Sequence, residues 1–150
     1  MNAEGLIKSR IAAFIVNLML QESGYTIVSY GSDDILGRLI QAGINKESKV
    51  SRILLNMPTF IVIGKNKEPV LLKVKFKGRK KSGRNIEWGY KQIEEYWPNT
   101  LMMIVTNEEP YFYFIEKGQS LLLERSILGV NKKTSDKFAR LVKKFLLELE

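Results

Sequence analysis

Residues Thr100–Thr106 read TLMMIVT, with five consecutive apolar side chains and no charge. A strand has a side-chain period of two, so a run that is apolar at every position needs cover on both faces. That requirement points to a sheet buried between helices rather than to a one-sided antiparallel sheet. The stretch on its N-terminal side, NIEWGYKQIEEYW (85–97), is helix-like although Gly89 weakens it, and Pro98 ends it. Before it lies PVLLKVKFK (69–77), an alternating strand, and before that TFIVIG (59–64), a β-branched run. KNKE between those two reads as the turn of a hairpin.

The remaining elements follow by periodicity. Residues 3–23 read as a helix on Leu6, Ile11, Ala13, Phe14, Leu18 and Met19, with Gly24 placed to tolerate a positive φ at its end. YTIVSY (25–30) reads as a strand. Residues 34–42 read as a short helix capped by Ser32 or Asp33 and ended by Gly43. SRILLNM (51–57) reads as an extended lead-in stopped by Pro58, PYFYFIE (110–116) as a strand, and SLLLER (120–125) as a strand or part of a turn. Phe138, Leu141, Val142, Phe145, Leu146 and Leu149 recur at i, i+3, i+4, i+7 spacing and predict an amphipathic helix over 135–150, with Asp136 in its first turn. One hairpin and one β-helix-β step give an α/β class: a mixed central sheet flanked by helices, with an extra C-terminal helix. At 150 residues, with no linker or internal repeat, the chain reads as a single domain over 1–150.

Composition removes whole classes of chemistry. The chain has no Cys and no His, so disulfides, thiolate metal sites, Ser-His-Asp and Cys-His catalysis and the commonest zinc ligand are excluded. No Walker loop or dinucleotide fingerprint is present. Ile11–Leu20 is too short to span a bilayer and lacks a cleavage site after it, so the expectation is a cytoplasmic protein with no membrane partner. The net charge of +8 favours polyanions, nucleic acid first.

That charge concentrates in one run. From Lys73 to Arg84 there are seven basic side chains and no acid: Lys73, Lys75, Lys77, Arg79, Lys80, Lys81 and Arg84. Gly78 and Gly83 would let the backbone approach phosphates. These seven are the candidate nucleic-acid contacts, to phosphate rather than to bases. A second basic group, Lys132, Lys133, Lys137, Arg140, Lys143 and Lys144, reads first as the polar face of the last helix. Trp88, Tyr90, Tyr96 and Trp97 are candidate stacking residues, with core packing as the plainer reading.

The element order, with these residues inside it, resembles the restriction-endonuclease-like or PD-(D/E)xK nuclease superfamily, nearest to archaeal Holliday-junction resolvases and RecB-type nuclease domains. The resemblance covers roughly residues 5–116 and implies an αβββαβ core. Pro58-Thr59 stands at the PD position with Thr59 in place of the Asp, and Lys73-Val74-Lys75 stands at (D/E)xK with Lys73 in place of the acid. Lys75 matches the motif Lys, and Gln92 and Tyr96 match the Gln-to-Tyr spacing on the following helix. If the site is active, Lys75, Gln92 and Tyr96 would be its catalytic residues. The resolvase group's Glu on the first helix has no counterpart between Glu4 and Glu22.

An active site of this type holds Mg²⁺ on carboxylates, and the metal activates water and offsets phosphate charge. Thr59 and Lys73 would instead repel a divalent cation and attract phosphate. The expectation is therefore a nucleic-acid-binding protein, DNA before RNA, that has lost its metal carboxylates and needs no cofactor. An alternative is a Mg²⁺-dependent endonuclease in which Asp33, Asp34, Glu87, Glu94 or Glu95 has taken over as ligand. A third reading is a structural or regulatory subunit that binds a partner protein, and homodimerisation is compatible with all three.

Overall fold

A computed structural model describes the backbone of residues 3–77, 83–116, 119–123 and 126–147, and the side chains of these except 83–88 and 147. Twelve segments follow in order: α1 (Ala3–Glu22), β1 (Thr26–Ser29), α2 (Ser32–Gln41), α3 (Lys49–Leu55), β2 (Phe60–Ile63), β3 (Pro69–Lys77), α4 (Gly83–Tyr96), β4 (Thr100–Thr106), β5 (Phe112–Glu116), β6 (Gln119–Leu122), α5 (Lys132–Val142) and a π-helical turn (Lys143–Leu147) that continues α5. The strands form one six-stranded sheet in sequential order, β1 to β6. All neighbours are antiparallel except β3 and β4, which run parallel because α4 carries the chain back across the sheet.

β4 lies inside the sheet, and its two faces feed two cores. Met103 and Val105 join Leu72, Phe60 and Phe114 beneath α1 and α5, which contribute Val16, Met19, Leu20, Phe138, Val142 and Leu146. Met102 and Ile104 join Ile115 and the α4 residue Ile93 on the opposite side. The uninterrupted apolar run is thus explained by burial on both faces. The molecule is α/β, with a mixed sheet between α1 and α5 on one side and α4 on the other. Among the described residues, no helix is long and apolar enough to cross a membrane.

Several local expectations need correction. SRILLNM is not extended: Lys49–Leu55 is a helix, started by Ser48, whose hydroxyl accepts a hydrogen bond from the Ser51 amide at 3.2 Å. α2 starts at Gly31, which has φ 80°, and neither Ser32 nor Asp33 caps it with a side chain. α5 starts at Asn131, whose Oδ1 accepts from the Thr134 amide at 2.8 Å, so Asp136 lies beyond the first turn. SLLLER resolves in part into edge strand β6. On α1 the buried stripe is Ala12, Ala13, Ile15, Val16, Met19 and Leu20, whereas Phe14 is 62% exposed.

Candidate nucleic-acid interface

β3 places its lysines by simple alternation. Leu72, Val74 and Phe76 belong to the core beneath α1 and α5, so Lys73, Lys75 and Lys77 project from the other face, the one α4 covers. Their partners in β4 register are Met102, Ile104 and Thr106. Two of the three lysines therefore stand beside apolar side chains on a strand with no acid.

Lys73 is buried, and its Nζ donates to the Met57 carbonyl at 2.8 Å. Its pKa is lowered to about 8, first by burial and then by the charge of Lys75, with Asp33 pulling it back up. Lys75 is likewise lowered to about 8, by burial and then by the charge of Lys77. A Cβ built on Gly89 would lie 3.3 Å from the Lys75 Nζ. The ammonium of Lys75 thus rests against the backbone of α4 at a mid-helix position without a side chain. Gly89, which only weakens a helix when viewed as sequence, makes room for the lysine.

Thr59 is buried and committed to the backbone. Its amide donates to the Leu72 carbonyl at 2.8 Å, and its hydroxyl accepts from the Val74 amide at 3.0 Å. The hydroxyl thereby stands in for the carbonyl that would extend the β2–β3 ladder. The three carbonyls entering β2 are all engaged by side chains. Lys73 takes Met57, the Tyr30 hydroxyl takes Pro58, and the Ser32 hydroxyl takes Thr59 at 3.4 Å. Sequence reasoning missed Met57, Tyr30 and Ser32, because their role depends on a tertiary approach of β1 and α2 that no local pattern encodes.

The structure brings Thr59, Lys73, Lys75 and Lys77 to one region and separates others from it. Tyr96 lies two turns along α4 from Gly89, about 10 Å by helical rise. There its hydroxyl hydrogen-bonds the Arg52 guanidinium, which also pairs with Glu47 at 2.7 Å, and both contacts hold the Arg52 pKa above its ordinary value. Gln92, one turn before Tyr96, is partly buried. The Trp97 indole donates to the Ile53 carbonyl at 2.7 Å and ties α4 to α3. Arg79, Lys80 and Lys81 lie outside the described residues, as do the side chains of Arg84, Glu87 and Trp88.

Of the acids that could rebuild a metal site, Glu94 and Glu95 are exposed on α4, and Asp34 pairs with Arg38 at 3.1 Å. Asp33 alone of these acts electrostatically on Lys73. Among the described residues, no group of three or more acidic, His or Cys side chains is placed to hold a metal ion. The donor set at positions 59 and 73, a hydroxyl spent on the backbone and an ammonium, does not fit a divalent cation. Beside it, the Lys75 ammonium against helical backbone, with Lys77 next to it, carries positive charge of the kind that attracts an anion and does not ionise water. No protein-family model matches the chain, and no curated protein matches it.

Proposed function

We propose that the chain is a nucleic-acid-binding protein, with DNA as its first ligand, built on a restriction-endonuclease-like framework and without hydrolytic activity. The observation that carries this reading is the row Lys73, Lys75, Lys77 on one face of β3, with a hydroxyl and an ammonium where a nuclease of this type would need carboxylates. The fold assignment is supported by the order α1, β1, β2, β3, α4, β4, with α2 and α3 inserted between β1 and β2, in which β1 to β3 pair antiparallel and β4 returns parallel to β3. Lys73 acts from below the surface, contributing potential rather than contact. Lys75 and Lys77 meet the phosphates, and the affinity is sequence-independent and salt-sensitive.

The test is incubation with duplex, branched and single-stranded DNA, with and without Mg²⁺ or Mn²⁺, read for both gel shift and cleavage. A shift that weakens steeply with salt, loses several-fold in affinity in Lys75→Ala, and shows no cleavage is the expected result. Metal-dependent cleavage that vanishes in Lys75→Ala overturns it. The endonuclease alternative has one observation in its favour, the charge of Asp33 acting at Lys73. It requires that Asp33→Asn abolish such cleavage.

A further inference from the structure

A cleft of about 900 Å³ lies between α5, β6 and the turn joining β4 to β5. Lys132, Arg140 and Lys143 stand along its α5 wall, with Tyr111 and Leu122 on the facing side. All three cations are exposed, and none has an acidic partner among the described residues. Lys137 differs, because Glu22 pairs with it. Helical spacing puts Lys132, Lys133, Arg140, Lys143 and Lys144 on one side of the element, with Asp136 as the single acid among them. Glu109 is the other acid bordering the cleft.

This surface points away from the first one. Phe138, Val142 and Leu146 share a core with Leu72, Val74 and Phe76, so α5 covers the face of β3 opposite its lysines. From Lys132 to Lys144 the helix rises about 18 Å, the axial length of roughly five nucleotides of one strand. A single phosphate or a short acidic side-chain cluster would engage only part of that length, whereas a sugar-phosphate backbone matches all of it. Tyr111 and Leu122 add aromatic and apolar surface of the kind that unpaired bases or sugars meet. A duplex is stiff over about 150 base pairs, so one segment lying on the β3 face does not fold around the sheet to reach α5.

We infer that the α5 cleft is a second nucleic-acid surface and that one chain bridges two nucleic-acid segments through opposite faces of its sheet. The bridge rests on the reading of the β3 face given above. The experiment loads the full chain onto bead-held duplex, washes, and measures capture of a second, labelled duplex. Wild type retains the second duplex, and Arg140→Glu combined with Lys143→Glu lowers retention about tenfold or more while single-duplex gel shifts stay within about threefold. Retention unchanged in that double variant overturns the inference, as does a wild type that shifts one duplex and captures none. A wild type that shifts no duplex at all removes the β3 reading, and the bridge with it. Labelled polyglutamate captured through Arg140 and Lys143, with no second duplex retained, would assign the cleft to an acidic peptide and overturn it as well.

Discussion

Lys73 holds its proton in a place that favours losing it. Folding lowers the pKa of Lys73 and of Lys75 from the ordinary 10.5 to about 8. The unfolded chain therefore keeps protons that the folded chain has released, and stability rises with pH between about 8 and 10.5. Below pH 8 both states are protonated and this slope disappears. For Lys73 the gain is on the order of 1–3 kcal/mol, to be read as a urea midpoint that is higher at pH 9.5 than at pH 7. Lys73→Met removes much of that pH difference; at pH 7 it relieves a buried charge and leaves the Met57 carbonyl unpaired, the latter alone costing about 1–3 kcal/mol. Binding runs the other way. Lys75 loses charge as pH rises past 8, so wild-type affinity for duplex DNA falls between pH 7 and 9, and Lys75→Arg flattens that fall.

At the scale of elements, α4 is where helix propensity and ligand geometry conflict. Gly89→Ala stabilises an α-helix by about 0.5–1 kcal/mol, and among the described residues the added Cβ meets only the flexible end of Lys75. The expected variant unfolds at higher denaturant yet binds DNA more weakly, because Lys75 is displaced. Equal binding by the variant would show that the Lys75–Gly89 contact is irrelevant to the ligand. At the other end of the chain, Asn131→Ala removes the α5 cap and costs about 1 kcal/mol, measurable by thermal unfolding. The same elements show what a sequence makes legible. Alternation placed β3, and the apolar run placed β4, because each pattern reports its own burial. The α3 helix was illegible: seven residues with Val50 and Ile53 among them carry too little periodicity to outweigh β-propensity. In α1, apolar residues surround the helix, so spacing alone could not choose the Ala12–Val16–Leu20 stripe over the face bearing Phe14. Of the candidate site, the lysine row could be read from β3, but its supports at Met57, Tyr30 and Gly89 come from distant segments.

For the whole molecule, the two faces of the sheet divide the labour. The β3 side has a small apolar core and buried ammonium groups, and the α1 and α5 side has most of the large buried side chains. The sequential strand order also has a kinetic consequence. The β2–β3 hairpin and the β4–β5–β6 meander can form from local contacts, whereas β1 must reach β2 across α2 and α3, and the two halves join at the parallel β3–β4 seam. α5 must instead find α1 across more than a hundred residues, as the pairing of Lys137 with Glu22 requires. Its docking is the natural late event. Substitutions such as Val142→Ala should then accelerate unfolding several-fold while leaving the refolding limb of a chevron almost unchanged. A chain paused before that step would have a complete sheet with one greasy side still wet, and its lifetime in that condition would set how readily it aggregates.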